Sequence, residues 1–352
     1  MKKIHQQKRI LVTGAGGPAA VSFMNALQDP SLVLHAGDID PYAPGLYLVP
    51  RERRHLLRRG NHPAFVVETL GLCQAQGIDI LVPTVDAELL PLARARKEFL
   101  AAGIELLCPS EITLALCLDK WELLQACSLD VPVPKSELFT ARVRSPDQFP
   151  CIVKPRTGSG SRGVIRLDDL ASFTASPRNS KLLLQEYLPG DEYSVDVYVG
   201  ASGILHAAVP RQRLKVDSGV AITSRTVNDP KLIALAGAVA RAINLRGVAN
   251  VQFRRDRCGI PRLLEVNPRF AGAMSLTVHA GANIPQMAID EILGRPLPSG
   301  MVSFEVTSMT RTFRDTYVPV EDIAVLEKRL AEQEAREEQA QPALRRPLAA
   351  WA

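Results

Sequence analysis

The stretch "LLEVNPRF", residues 263–270, sets two leucines, an acid, an amide, a proline and an arginine within eight positions. Along an extended strand, positions i and i+2 share a face, so Glu265 and Asn267 present their oxygens side by side. Pro268 cannot donate to a ladder, so the strand ends there and leaves an opening at its terminus. Just upstream, "VANVQF" and "PRLLEVN" flank the turn-forming "RRDRCGIP", which predicts a hairpin that brings Gln252 close to Glu265. The result is an all-oxygen cluster, suited to a hard cation such as Mg²⁺ that also takes phosphate oxygens and keeps waters.

Five further segments stand in a fixed order: "DK" (119–120), "IVKP" (152–155), "TGSGSRG" (157–163), "QEYLPGDEYSVD" (185–196) and "VQF" (251–253). Lys154 ends a strand-like run before a proline, where its ammonium can serve as a point charge for phosphates. The loop after it carries three glycines, whose bare backbone N–H groups can close over phosphate oxygens. Such a loop acts as a lid that keeps water out. Taken together, and in this order, the six segments resemble the ATP-grasp superfamily, most closely its carbamoyl-phosphate-synthetase-like branch. The resemblance covers roughly residues 9–317.

That resemblance implies ATP as co-substrate and two Mg²⁺ ions, with Mn²⁺ able to substitute, held by Gln252, Glu265 and Asn267. Position 252 departs from many relatives, which carry an acid there. It further implies that Lys120 and Lys154 contact phosphates, and that Gly158, Ser159, Gly160, Ser161 and Gly163 form the lid. Glu186 would accept from the adenine amino group, Tyr187 and Leu188 would offer backbone groups to the purine edge, and Glu192 would grip the ribose hydroxyls. Arg269, two residues past Asn267, is expected to point into the same site. With Lys154 and Asn267 it would stabilise a transferring phosphoryl group. Arg211, Arg213 and Arg225 flank "LKVDSGVAITS" and suit a carboxylate substrate, although an exposed hairpin would carry the same residues. His279 reads as a packed side chain. The implied reaction is an ADP-forming carboxylate–amine ligation through an acyl phosphate, with amino-acid or peptide-like substrates. The rival readings are a carbamoyl-phosphate-synthase-like kinase of carbamate or bicarbonate, and a non-catalytic nucleotide-binding regulatory protein.

A different rival comes from "LVTGAGGPAA", residues 11–20, where Gly14, Gly16 and Ala19 fit a dinucleotide-binding fingerprint and Asp38 or Asp40 could follow as the ribose acid. The continuation "GDIDPYAPG" instead resembles the Rossmann-like domain that precedes an ATP-grasp module, and that resemblance implies that the turn faces the ligase site, with Gly16 contributing to the substrate pocket. Within 9–110, strand-like "RILVTGA", "LVLHAGDID", "IDILVPTVD" and "IELLCPS" alternate with helical patterns at 17–28, 63–76 and 87–101. That alternation predicts a doubly wound parallel sheet. Beyond "FPCIVKP" the chain reads as α+β with an antiparallel sheet. The fold class is therefore α/β plus α+β, and the resemblance implies a Rossmann-like N-terminal domain followed by a two-subdomain ATP-grasp fold. The expected partition is an α/β domain at 1–110, a helix and linker at 111–136, a small subdomain with the lid at 137–190, a metal-bearing subdomain at 191–317 and a charged helical or disordered tail at 318–352. A single helix is expected over 117–127, and "RERRHLLRRG" (51–60) reads as a solvated face.

Composition narrows the function classes. A net charge of +5, from 42 basic and 37 acidic residues without a long basic block, fits anionic small molecules and argues against nucleic acid. No run approaches the length of a membrane span. The six cysteines show no paired or metal-ligand spacing, which points to a reducing, cytoplasmic setting. The resemblance implies a homodimer formed through the N-terminal domain.

Overall fold

At the N-terminal end helices that return over the sheet connect most of the apolar runs, one crossing being made by short 3-10 turns at 44–48 and 51–53, so the strands pair in parallel. The computed structural model describes residues 7–340 other than 159, 161 and 313, with only the backbone for 337–340. The chain begins β1 (Lys8–Thr13), α1 (Pro18–Ala26), β2 (Leu32–Asp38), β3 (Arg54–Leu56), α2 (Phe65–Gln76), β4 (Ile80–Val82), α3 (Asp86–Arg94), α4 (Arg96–Ala101) and β5 (Glu105–Leu106). These five strands form one parallel sheet in the order β3-β2-β1-β4-β5. This is the doubly wound arrangement read from the sequence. The order reverses about β1, so the glycine turn after β1 opens onto the carboxyl edge of the sheet, where α/β folds bind ligands.

Three local expectations change. The run 87–101 is two helices, α3 and α4. The stretch 51–60 is not a solvated face: it supplies β3, and Arg54 and His55 are buried. Arg54 tolerates burial because its guanidinium donates to Val49 O at 3.0 Å and to Asp322 Oδ2 at 2.6 Å. The third change falls at the connector, which is α5 (Glu111–Leu118) and α6 (Lys120–Cys127) rather than one helix over 117–127. Asp119 interrupts them as the N-cap of α6, its carboxylate accepting from the N–H groups of Trp121 and Glu122.

Next come β6 (Ser136–Leu138), β7 (Cys151–Pro155), β8 (Ile165–Leu167), α7 (Leu170–Ala175) and β9 (Leu182–Glu186), whose strands form a four-stranded antiparallel sheet in the order β6-β9-β7-β8. The remaining elements are β10 (Glu192–Val199), β11 (Leu205–Asp217), β12 (Val220–Thr226), α8 (Pro230–Ala242), β13 (Gly247–Arg255), β14 (Pro261–Asn267), α9 (Met274–His279), α10 (Ile284–Ile292), β15 (Ser308–Thr310) and α11 (Val320–Ala340). Their strands make a six-stranded sheet in the order β14-β13-β10-β11-β12-β15.

Strand alternation gives that larger sheet two unlike faces. Val195, Val197, Val251, Phe253 and Leu263 pack beneath α6 and α8 with Leu123, Leu124, Leu232 and Ala236, all of them buried. The opposite face carries Glu192, Ser194 and Asp196 on β10, Arg211 and Arg213 on β11, and Asn250 and Gln252 on β13. Further along this second face, Tyr198, Ala207 and Val248 join one core with Phe23, Val12 and Ala36 of the N-terminal domain. The rings of Phe23 and Phe270 lie 4.8 Å apart in that core. The shared core holds the glycine turn over the polar end of the sheet.

The charged segment near the C-terminus is helical through Ala340 and is docked rather than loose. Leu326 is buried in the shared core, and Asp322 is ion-paired to both Arg51 and Arg54. Residues 341–352 of the expected tail lie outside the described residues. His279, read as packed, is exposed at the end of α9, where the apolar face of the helix is already filled by Met274 and Leu276.

Candidate functional site

Two adjoining cavities lie between the sheets. The narrower, about 170 Å³, is walled by Ile152, Val164, Leu188 and Leu264 and edged by Glu186 and Tyr187. The wider, about 970 Å³, lies between the glycine turn of the N-terminal domain and the polar face of the six-stranded sheet. Arg162, Glu192, Gln252 and Glu265 line both, so they mark the junction.

Glu265 reaches the junction through a strand irregularity. Gln252 pairs with Glu265 and Phe253 with Leu263, which leaves Leu264 as an extra residue on β14. A bulge of this kind turns two successive side chains toward one face. Leu264 therefore closes the narrow cleft while Glu265 faces the junction. Asn267, two residues on, keeps to the same face and pairs with Asn250. Its amide donates to Glu265 Oε1 at 3.3 Å.

Both lysines converge on this carboxylate. Lys154, at the end of β7, is buried, and desolvation pushes its ammonium down to about 8; Glu265 opposes that shift and Lys120 adds to it. Lys120 is placed by the break at Asp119. Its N–H donates to Arg156 O at 2.8 Å, and Arg156 in turn donates to both oxygens of Asp119. From there Lys120 Nζ lies 3.5 Å from Glu265 Oε2 and donates to Gly158 O at 2.6 Å. A group carrying several negative charges is what two ammonium groups beside one carboxylate can hold.

Gly158 lines the cleft and Gly160 the basin, while Gly163 packs against Pro155 at the base of the loop. Ser159 and Ser161, also expected in the lid, lie outside the described residues. Glu186 accepts from Lys135 N at 3.1 Å, and Arg166 lies 4.6 Å from the centre of the Tyr187 ring. Glu192 pairs with Arg213 Nη1 at 2.9 Å and with Arg254 at 3.8 Å.

The three flanking arginines divide. Arg211 and Arg213 line the basin, but each already holds an acid: Arg211 makes two bonds of 2.8 Å to the buried Asp196, and Arg213 holds Glu192. Arg225 does not reach the site. It pairs in register with Gln212, on the other face of the sheet from Arg211 and Arg213, and donates to Gln212 Oε1 at 2.8 Å. Arg269 lines the basin and is tied to Asp86 of α3.

The glycine turn closes the far wall. Gly14 has φ +65°, and a Cβ there would stand 2.4 Å from Val85 Cγ2. Gly16 N–H donates to Asp38 Oδ2 at 2.6 Å. An internal carboxylate thus occupies the amide that a dinucleotide pyrophosphate would need, and its charge repels phosphate. This weighs against the dinucleotide reading.

Several residues at the site are not among those expected from the sequence. Arg254, Arg162 and the apolar walls Val164 and Leu264 line the cleft. Alternation from Gln252 would have found Arg254, and Arg162 and Leu264 sit inside "TGSGSRG" and "LLEVNPRF"; nothing local marks Val164. Among the described residues no group of three or more His, Cys, Asp or Glu side chains could hold a metal. The donor set here is instead one carboxylate and two amides at 252, 265 and 267. These oxygens fit a hard cation that completes its shell with water and phosphate.

Comparisons with known proteins agree with this geometry. Residues 178–312 match the family model described as ATP-grasp in the biosynthetic pathway with Ter operon, and residues 10–107 match the PylC-like N-terminal domain. The chain is 27% identical over 309 residues to carnosine synthase 1 of Gallus gallus, covering 75% of this chain but only 32% of that protein. The biotin carboxylase domain of Hydrogenobacter thermophilus 2-oxoglutarate carboxylase, solved with MgADP and bicarbonate, superposes with a TM-score of 0.68 at 16% identity, over 84% of this chain and 72% of that one. N5-carboxyaminoimidazole synthetase from Staphylococcus aureus gives 0.68 at 15% identity, over 93% and 87%. The chain belongs to the ATP-grasp superfamily, with a PylC-like N-terminal domain ahead of its ATP-grasp domain.

Proposed function

We propose that this protein is an ATP-dependent carboxylate–amine ligase that forms ADP and phosphate. The observation that carries the reading is the meeting of Lys120, Lys154, Gln252 and Glu265 at the junction of the two cavities. Adenine fits the apolar cleft with its amino group toward Glu186, and the ribose hydroxyls reach Glu192. The phosphates then lie at the two lysines, and the transferable phosphoryl group faces the basin. Bound Mg²⁺, held by Gln252, Glu265 and Asn267, would neutralise phosphate charge and polarise the phosphoryl group.

An acid in the basin places one carboxylate oxygen in line with the γ-phosphorus. That oxygen forms the new O–P bond, the bond to the β-phosphate oxygen breaks, and ADP leaves. Arg269 is placed to stabilise the charge that spreads over the phosphoryl oxygens. The lid and N-terminal domain keep water from the acyl phosphate. A neutral amine then attacks the acyl carbon, phosphate leaves with the C–O bond electrons, and the amine gives up its proton. The acidic wall formed by Asp38 and Asp40 suits a substrate that also carries an ammonium group, as amino acids and peptides do. The relatives named for carnosine and carboxyaminoimidazole synthesis support C–N bond formation as the shared chemistry.

The test is a phosphate-release screen of amino acids, single and paired, with Mg-ATP, using Glu265→Ala as the blank. ADP, phosphate and an amide are expected together. AMP and pyrophosphate would overturn the acyl-phosphate route. Phosphate release with bicarbonate alone would favour the carbamate or bicarbonate kinase.

A further inference from the structure

Gln252 differs from a carboxylate in one respect that matters for a cation: only one of its two terminal atoms can bind one. The other is an amide nitrogen, and the two exchange places when χ3 turns by half a revolution. Something must therefore fix the direction of the amide.

Asp196 lies at the bottom of the polar face and is fully buried. Its two oxygens accept from Arg211 Nε and Nη2 at 2.8 Å each, from Asn250 Nδ2 at 2.6 Å and from the Thr277 hydroxyl. An ionised carboxylate can only accept. Asn250, directly opposite Asp196 in register and itself buried, must turn its NH₂ toward it. Its Oδ1 is then left facing Gln252, whose Nε2 donates to it at 3.3 Å. With its nitrogen so engaged, the Gln252 oxygen is the end left for the junction with Glu265. Three side chains on two neighbouring strands thus form a one-way relay from an acceptor-only group to a metal-facing oxygen.

We infer that Asp196 and Asn250 are positioning residues that set the amide direction of Gln252, so that this neutral side chain serves as a cation ligand where a carboxylate would need no such help. The inference rests on the proposed nucleotide–metal site. Partners behind metal ligands commonly influence affinity by about 10- to 100-fold.

The experiment measures Mn²⁺ binding in the presence of ADP, from the electron paramagnetic resonance of free Mn²⁺, with the full chain. Asn250→Leu, close in size but without polar atoms, should weaken Mn²⁺ binding about 10-fold or more. In a Gln252→Glu background the same change should cost less than about twofold, because the two carboxylate oxygens are equivalent. Cooperative thermal unfolding of both variants checks that they fold. Should the leucine variant not fold, Asn250→Ser, too short to bridge Asp196 and Gln252, takes its place with the same expectation. Equal losses in both backgrounds, or no loss in either, would overturn the relay. A chain that shows this coupling but makes no amide with any substrate pair would overturn the ligase reading and leave the relay standing.

Discussion

Arg269 and Asp86 form a two-pronged ion pair across the boundary between the two domains, Nε to Oδ1 at 2.6 Å and Nη2 to Oδ2 at 3.1 Å. Arg269 follows β14, and Asp86 opens α3 of the N-terminal domain. Two parallel bonds fix the plane of a guanidinium as well as its position. The N-terminal domain therefore aims a residue that belongs to the ATP-grasp half. Asp86→Ala should lower kcat about 10-fold or more while leaving the KM for ATP within about twofold, since misplacing a positioned group slows chemistry more than binding. A matched rise in KM with kcat unchanged would assign the pair to nucleotide binding instead.

Lys154 carries a pH signature. Burial holds its ammonium at about 8, well below the ordinary lysine value, and a bound polyphosphate favours the charged form. Below about pH 8 the free protein is already protonated at this position, so ADP affinity should be flat. Above it, binding must take up a proton and affinity should fall by up to about tenfold per pH unit. Titration calorimetry in buffers of different ionisation enthalpy reads both effects. Lys154→Met should abolish the proton uptake.

Glu88 is buried on α3, where it accepts from the Thr13 hydroxyl and faces the charge of Asp38. Desolvation is the main cause that lifts its carboxyl from 4.5 to about 7. The folded state therefore keeps a proton between about pH 4.5 and 7 that the unfolded chain has released. Stability from this group is full below pH 4.5 and is lost as pH rises through about 7. Glu88→Gln, neutral and of the same shape, should flatten that slope and raise stability at pH 8 by roughly 3 kcal/mol at most. Urea unfolding at pH 5 and pH 8 provides the comparison.

The docking of α11 depends on Asp322, which sits between Arg51 and Arg54. Removing it leaves Arg54 buried without its acid and frees the first turn of the helix. Asp322→Ala should open 320–336 to trypsin, cutting after Lys328 and Arg329, while ADP binding is retained. Unchanged protection would show that the buried Leu326 and the bond from the Tyr42 hydroxyl to Glu327 hold the helix without the ion pair.

Much of the site was legible because its rules are local. Period-two alternation along "LLEVN" put Glu265 beside Asn267, and the "RRDRCGIP" turn put Gln252 opposite. The glycine loop and the lysine before it were adjacent in sequence, so their proximity was not in question. The parallel N-terminal sheet followed from strands spaced by helices. Where the reading missed, a distant partner decided. Arg54 looked solvated because its acid lies 268 residues away. Arg225 looked like a partner of Arg211 and Arg213, yet odd and even positions on facing strands sent it to the other side of the sheet.

From its residues alone, this chain was readable as six ordered segments, two kinds of sheet and a set of oxygens and ammonium groups suited to nucleotide phosphates. Tertiary structure alone decided which side chains meet. The break at Asp119, stabilised by Arg156, brings Lys120 to Glu265. The extra residue at Leu264 turns one strand position into the wall of the cleft and the next into the carboxylate at the junction of the two cavities. The buried acid at 196 selects the direction of two amides. Each of these depends on what lies across a strand or behind a helix, and a hydrogen-bonding group can be oriented only by the partner it finds there.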